Sequence, residues 1–217
     1  MTGSRAAVAV FLLTLTGRVW GLTVAELQRN IREQDRKLES IQFEYIQEMR
    51  SSQSRETAKS QGRAYFQKPQ SVRIDQESPE RQVIVTQGKT VFIYTPRFNQ
   101  VLKDTWKNWS RKNSFLPGLF GSSGTLDRLE KDYAWTLENG EKLNGEDTVV
   151  VRLKPAAEGE DLKLWLGAAD FVPRKAQVSM GGGSLVTTLR SLRMNAPLEP
   201  GIFDFSPPKN ASVIKVP

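Results

Sequence analysis

The sequence contains neither cysteine nor histidine. Without these side chains the protein cannot form a disulfide, a Cys or His metal site, a Ser-His-Asp triad or a Cys-His pair. It also lacks a stretch of ~20 apolar residues that would span a membrane as a helix. Because most common enzyme designs are excluded, we predict a protein that is not an enzyme and that uses no metal or other cofactor.

The composition is typical of a soluble globular protein, with 38% hydrophobic and 25% charged residues among 217. Lysine and arginine number 31 against 24 aspartate and glutamate, which gives a formal charge of +7. This excess favours contact with an anionic membrane surface or an acidic protein partner. No linker rich in proline, glycine and serine divides the chain, so we expect residues 22–217 to form a single domain. We also expect a monomer.

Residues 1–21 have the features of a secretory signal peptide. Arg5 precedes an apolar run of about ten residues, 6–15, and Gly21 ends the segment with a small residue. Arg5 and Arg18 flank the run, which argues against the alternative of a buried N-terminal helix. Bacterial lipoproteins are anchored through a cysteine, and none follows here. We therefore expect a soluble, exported protein.

The remaining pattern predicts one helix followed by short strands. Thr23 and Glu26 form a capping-box motif in front of an amphipathic helix over residues 24–38. Residues 41–49 alternate between apolar and polar as in a half-buried strand, and the polar segment 50–61 is predicted to be a long hairpin loop. Further strands are predicted at 62–67, 72–75, 82–86, 90–94, 100–106, 133–137, 148–154, 162–166, 174–179 and 185–192. Because no helices alternate with them, we expect antiparallel pairing.

Residues 113–131 interrupt the run of strands. They hold a short helix after Thr125 and, before it, an apolar cluster interrupted by Pro117. The cluster is Phe115, Leu116, Leu119 and Phe120. About eleven antiparallel strands in one sheet curl into a half-open barrel whose inner face must be covered. We therefore predict a mainly β fold, an incomplete antiparallel barrel with an N-terminal helix and a helical lid over an apolar cavity. The helices either plug the barrel as ordinary core or form a removable lid, and the pattern leaves both open.

Several stretches in this order resemble the outer-membrane lipoprotein carrier family, LolA. The similar stretches are residues 62–69, 75–79, 83–96, 100–101 and 195–208. The resemblance implies an incomplete barrel of eleven antiparallel strands with a helical lid. It also implies a periplasmic chaperone that takes lipoproteins from an inner-membrane ABC transporter, binds their acyl chains, and delivers them to an outer-membrane acceptor or to the outer membrane itself.

Alternation along the strands, together with the resemblance, predicts which side chains bind acyl chains. These are Phe43, Tyr45, Val72, Ile74, Ile84 and Leu164. Phe115, Leu116, Leu119 and Phe120 are expected on the lid. The family commonly has arginine where this chain has Lys68, and that arginine holds the lid by hydrogen bonds. The resemblance therefore implies lid control by Lys68, with a less rigid donor than a guanidinium.

A basic and aromatic cluster lies beside the predicted lid and has three interpretations. Its members are Lys103, Trp106, Lys107, Trp109, Arg111 and Lys112. Interleaved aromatic and basic residues bind single-stranded nucleic acid in other proteins. Export disfavours that interpretation, so we expect no nucleic-acid partner. The second interpretation is a solvated face. The third is docking on the transporter or on anionic headgroups.

Three further functions compete with the lipoprotein carrier. The same cavity would serve a phospholipid or glycolipid carrier, and the same fold would serve a periplasmic sensor module, which predicts a second domain or a tether. An enzyme would need paired carboxylates such as Glu130 and Asp132. Both lie in the charged run 127–132, which is more simply the exposed face of a helix.

Overall fold

The computed structural model describes residues 21–53, 56–112 and 125–216. Strands dominate this part of the chain, as predicted. The helices are α1 (Val24–Lys37), α2 (Trp106–Lys112) and α3 (Thr125–Asp132), with a 3-10 turn at Pro96–Phe98. The strands are β1 (Ser40–Ser51), β2 (Thr57–Gln67), β3 (Ser71–Ser78), β4 (Gln82–Gln87), β5 (Thr90–Thr95), β6 (Gln100–Thr105), β7 (Tyr133–Glu138), β8 (Lys142–Leu143), β9 (Glu146–Pro155), β10 (Asp161–Gly167), β11 (Pro173–Met180), β12 (Gly183–Met194) and β13 (Ser212–Lys215).

All strands join one sheet in the order β13-β6-β5-β4-β3-β2-β1-β12-β11-β10-β9-β7, with β8 paired beside β9. Neighbouring strands are antiparallel except β13 and β6, which are parallel. Within the described residues the end strands β13 and β7 are not paired with each other, so the sheet is open. The predicted incomplete antiparallel barrel is confirmed. The strand count exceeds the prediction by the short strands β8 and β13.

The predicted loop over residues 50–61 is wrong. β1 continues to Ser51 and β2 begins at Thr57, with Arg50 opposite Thr57 and Glu48 opposite Lys59. The side chains of Glu48 and Lys59 form an ion pair of 2.8 Å. Both strands extend beyond the apolar core into solvent, so polar residues are tolerated there. Backbone hydrogen bonds and cross-strand side-chain pairs stabilise this part of the hairpin.

Helix α1 begins at the predicted capping box. The Thr23 hydroxyl accepts a hydrogen bond from the backbone N–H of Glu26 at 3.2 Å, and the Glu26 carboxylate accepts one from the backbone N–H of Thr23 at 2.8 Å. Leu27 and Ile31, one turn apart, are buried against the sheet. We call the sheet face that α1 covers the inner face. No helix in the described ranges is long and apolar enough to cross a bilayer.

Two groups of buried side chains cover the inner face. The α1 cluster is Leu27, Ile31, Leu129, Val149, Val151, Leu153, Leu162, Leu164, Leu166, Ala176 and Val178. The α2 cluster is Leu38, Ile41, Phe43, Tyr45, Ala64, Val72, Ile74, Val91, Trp109, Val172 and Leu189. Full burial of one such aliphatic side chain contributes about 1.5–3 kcal/mol. The inner face is therefore the main core of the fold.

The C-terminal segment 195–211 covers the outer face of one half of the sheet. The Phe205 ring lies 5.4 Å from that of Phe92 and 6.2 Å from that of Tyr94. Arg73 Nη1 donates to the backbone carbonyl of Ile202 at 3.1 Å. The chain then adds β13 to the exposed edge of β6.

Candidate functional site

A row of apolar residues crosses the inner face from strand to strand. Phe43 on β1 lies opposite Ala64, Ala64 opposite Ile74, Ile74 opposite Ile84, and Ile84 opposite Ile93 on β5. Residues directly opposite on neighbouring strands share a face of the sheet. Phe43, Ile74 and Ile84, predicted separately on three strands, are therefore neighbours in one band.

A second row runs beside the first. Ile41 lies opposite Phe66, and Phe66 lies opposite Val72. The rings of Phe43 and Phe66 stack at 5.9 Å with 14° between their planes, which joins the two rows. We call the combined surface of Phe43, Phe66, Val72, Ile74, Ile84 and Ile93 the apolar band.

Tyr45 continues β1 beyond the band and is only 2% exposed. It lies opposite Gly62 on β2 and Leu189 on β12. Burial raises the pKa of its phenol, and the nearby Asp75 and Glu77 carboxylates add to this increase. The side chain is therefore neutral at every physiological pH and contributes an aromatic ring to the inner face.

The structure separates Leu164 from the other predicted acyl-binding residues. Leu164 lies opposite Val151 on β9 and Ala176 on β11, within the α1 cluster. It is completely buried. Phe43, Tyr45, Val72 and Ile74 belong instead to the α2 cluster, with Ile84 packed against it. Leu164 therefore lies in a different part of the core from the apolar band.

Members of the apolar band differ in how accessible they are. Phe43, Val72 and Ile74 are 2–3% exposed, whereas Phe66, Ile84 and Ile93 are only partly buried. Carbon side chains of this kind bind hydrocarbon through the hydrophobic effect and dispersion. In the described part of the chain, no three carboxylates come together as metal ligands.

Lys68 contacts helix α1. Its ammonium donates a hydrogen bond to the backbone carbonyl of Asp35 and lies 3.6 Å from the Asp35 carboxylate. Its backbone N–H donates to the carbonyl of Glu39 at 2.9 Å, just after the helix ends. The predicted lid residues Phe115, Leu116, Leu119 and Phe120 lie outside the described residues. Lid control by Lys68 stays a prediction.

A contact between helices α1 and α3 was not anticipated from the sequence. The Arg32 guanidinium donates to Asp127 Oδ1 and to Glu130 Oε2, each at 2.7 Å. These bonds raise the pKa of Arg32, with the bond to Asp127 the largest cause. Glu130 therefore belongs to an ion pair, which agrees with its interpretation as part of a helix surface. The sequence did place Asp127 and Glu130 three residues apart, on one face of a helix, and this spacing could have indicated a shared cationic partner.

The described members of the basic and aromatic cluster do not form one surface. Trp109 is 6% exposed within the α2 cluster, and the Trp106 ring lies 5.6 Å from the Trp109 ring. Lys103 lies on the outer face, with its ammonium 5.6 Å from the Phe92 ring. Lys107 is exposed, and the side chains of Arg111 and Lys112 are outside the described part. The tryptophans therefore serve the core, which weakens the nucleic-acid interpretation.

Comparison with known proteins identifies one family over most of the chain. The family model "Outer membrane lipoprotein carrier protein LolA" matches residues 36–206. The outer-membrane lipoprotein carrier protein of Pasteurella multocida is 24% identical over 208 residues, which cover 94% of this chain and 93% of the relative. That of Glaesserella parasuis is 28% identical over 194 residues, covering 88% and 84%.

Solved structures show the same fold at low sequence identity. An uncharacterized conserved protein from Thermus thermophilus has a TM-score of 0.58 at 14% identity, over 87% of this chain and 98% of its own. MucB has a TM-score of 0.56 at 15% identity, over 84% of this chain and 62% of its own. With the family model spanning most of the open sheet, the chain belongs to the LolA family of outer membrane lipoprotein carrier proteins.

Proposed function

We propose that the protein carries lipoproteins through the periplasm by binding their acyl chains on the inner face of its sheet. Family membership supports this role, and the expected signal peptide over residues 1–21 supports export of a mature domain at 22–217. The observation that carries the proposal is the apolar band, which together with Ala64 forms a continuous apolar surface from β1 to β5.

The physical need for such a carrier follows from the cost of hydrating an acyl chain. Moving a sixteen-carbon chain out of water is favourable by roughly 12 kcal/mol, at ~0.8 kcal/mol per methylene. A lipoprotein with two or three such chains does not leave a membrane unaided. Its carrier needs an apolar surface and no reactive group, which is what the inner face offers.

Access to the apolar band requires its cover to move. Trp109 of α2 is buried in the same cluster as Phe43 and Val72, and Leu129 of α3 is buried in the neighbouring cluster. These helices precede and follow residues 113–124, which contain the predicted lid residues. We call α2 and α3 the cover. We propose that its displacement exposes Phe66, Ile84 and Ile93 first, since these side chains are already partly exposed.

Release of cargo then follows from competition. The cover and the acyl chains bind the same apolar surface, so the free energy of re-covering it offsets part of the binding energy. Arg32 ties α1 to α3, and Lys68 ties β2 to the end of α1. In this scheme the inner-membrane ABC transporter loads the open form, and an outer-membrane acceptor, or that membrane itself, receives the chains.

Site-specific photo-crosslinking tests the proposal. A benzophenone amino acid is placed at Ile84 or Phe66 on the inner face, and at Ile46 or Glu44 on the outer face of β1 as matched controls. After irradiation in cells, adducts containing an acylated polypeptide are expected from the inner positions and not from the controls. Adducts identified by mass spectrometry as free phospholipid or glycolipid would favour the other-amphiphile carrier. An adduct to a protein without acyl chains would favour the sensor module, and equal yields from both faces would contradict any inner-face carrier.

A further inference from the structure

Exposed apolar side chains concentrate at one edge of the sheet. In the described residues four large apolar side chains are exposed: Met49, Phe98, Val213 and Ile214. Phe98 is 64% exposed, Val213 49% and Ile214 43%. These three belong to the 3-10 turn and the edge strand β13, whereas Met49 lies on β1 near the middle of the strand order.

Hydrogen bonds hold the turn and the edge strand together. The Asn99 side-chain amide donates to the backbone carbonyl of Asn210 at 2.9 Å, and the Ser212 N–H donates to the Asn99 carbonyl at 2.9 Å. Phe98 is therefore fixed beside the start of β13. We call Phe98, Val213 and Ile214 the edge patch.

The edge patch projects in several directions. Val213 is in register with Val101, and Ile214 is in register with Leu102, on opposite faces of the two-strand edge. Phe98 extends from the turn that precedes β6. The edge patch therefore presents apolar side chains on both faces of the sheet edge.

Exposed lysines lie near the edge patch. Lys209 and Lys215 are exposed, and Lys215 is in register with Lys103 on β6. Residues 206–216 contain no aspartate or glutamate. Arg97 adds a guanidinium 5.6 Å from the Phe98 ring, paired with Glu80 at 3.1 Å. Asp104, the carboxylate of β6, is 9% exposed on the other face from Lys103.

We propose that the edge patch docks the protein on anionic membrane surfaces. Phe98, Val213 and Ile214 insert at the boundary between headgroups and acyl chains, while Lys209 and Lys215 contact lipid phosphates. Apolar residues flanked by lysines match such an interface, because each basic residue near an anionic surface strengthens binding. Natural edge strands usually avoid exposed apolar side chains, which makes this concentration informative. The inference does not depend on the cargo.

Vesicle flotation tests the docking surface. Wild-type protein, expressed from the full chain, is mixed with vesicles of phosphatidylglycerol and phosphatidylcholine, or of phosphatidylcholine alone. Tighter binding to the anionic vesicles is expected, by about 25-fold for two lysines that each contribute about fivefold. High salt should remove this difference, because the attraction is screened.

Variants separate the apolar and charged contributions. The triple change Phe98→Ser, Val213→Ser and Ile214→Ser is expected to lower binding to both vesicle types by more than tenfold. The double change Lys209→Gln and Lys215→Gln should lower binding only to the anionic vesicles. Met49→Ser is the matched control, with similar exposure at a distant position, and should bind like wild type. All variants must share the wild-type circular dichroism spectrum and Tm.

Three outcomes would overturn the proposal. Wild-type protein that does not discriminate between the vesicles would exclude an anionic docking surface. Equal loss of binding in Met49→Ser would show nonspecific hydrophobic adsorption. A wild-type dimer that becomes a monomer in the triple serine variant, measured by light scattering, would assign the patch to self-association instead.

Discussion

The ammonium of Lys68 donates a hydrogen bond to the backbone carbonyl of Asp35, in the last turn of α1. The Asp35 carbonyl also accepts the backbone N–H of Leu38 at 3.2 Å, and a cation at a helix C-terminus interacts favourably with the helix dipole. Lys68 thus connects the end of β2 to the end of α1, the helix that covers one half of the inner face. A movement of α1 away from β2 must break this bond.

Replacing Lys68 should loosen the end of α1. Lys68→Met removes the cation and is expected to lower the free energy of unfolding by about 0.3–1 kcal/mol. Hydrogen exchange of the backbone amides of Arg36, Lys37 and Leu38 should accelerate. Lys68→Arg keeps the charge and should slow exchange relative to Met, with slower transfer of labelled lipoprotein to acceptor membranes. Identical exchange rates in the three proteins would show that Lys68 does not hold the helix.

The Arg32 contact between α1 and α3 should depend on salt. Arg32→Gln is expected to lower the free energy of unfolding by about 0.2–1 kcal/mol at low ionic strength. The effect is small because the Arg32 and Asp127 side chains are 39% and 66% exposed, and solvent weakens their attraction. The cost should shrink in 1 M NaCl. Urea unfolding at both salt concentrations measures it. Arg29→Gln, an exposed arginine of the same helix, is the control and should change stability less than Arg32→Gln.

A charge on the apolar band should prevent cargo binding. Ile84→Asp places a carboxylate among apolar side chains, where an acyl chain cannot solvate it. Ile84 is partly buried, so the fold should survive while recovery of acylated polypeptide with the purified protein falls at least tenfold. Ile46→Asp is the matched control, since Ile46 is partly buried on the outer face of β1. Equal cargo loss in both variants would contradict an inner-face site.

Stability should fall in acid partly through Glu138. Hydrogen bonds from Lys163 and then Arg152 lower the pKa of Glu138 from its ordinary value of 4.5. A carboxylate with a lowered folded-state pKa contributes fully above pH 4.5, and its contribution disappears as the pH falls through the folded-state value. Glu138→Gln should therefore reduce Tm at pH 7 and flatten the decline of Tm below pH 4.5. A Glu138→Gln protein whose Tm follows the wild-type profile at every pH would contradict this assignment.

Gly62 should tolerate no side chain. A Cβ there would lie 2.1 Å from the backbone carbonyl oxygen of Asp75, at the point where the β2–β3 register shifts. Gly62→Ala is expected to cost about 2–4 kcal/mol in free energy of unfolding. Gly181→Ala is the control, because no atom lies within 4 Å of its Cβ position. A Gly62→Ala protein as stable as the control would contradict the close approach.

The inner face was predictable from the sequence because alternation along a strand is a local signal. Phe43, Ile74 and Ile84 each stand at the expected position of a period-two pattern, and the sheet makes them neighbours. The division between Leu164 and the band was not predictable. It depends on where α1 lies across the sheet, and a helix's own periodicity does not say which strands it covers.

Other elements gave weak or misleading local signals. β13 has four residues and pairs in parallel with β6, about 110 positions earlier in the chain, so no turn motif marks it. Trp106 was predicted to end the strand over residues 100–106 but begins α2, because an apolar residue at this position does not mark the change from strand to helix. The pairing of Arg50 with Thr57 was missed because their polar neighbours resemble a loop when burial is unknown.

The pairing of β1 with β12 has a consequence for biogenesis. Tyr45 lies opposite Leu189 and Ile41 opposite Met194, so the central seam joins the beginning of the domain to a segment near its end. Strands β1 to β6 and strands β9 to β12 can each pair with their sequence neighbours. The pairing of β1 with β12 can form only when nearly the entire polypeptide is present. While the chain is incomplete, strands β1 to β6 therefore form a half-sheet whose apolar inner face is uncovered. Incomplete chains should need protection from aggregation until the residues up to Met194 are available for pairing.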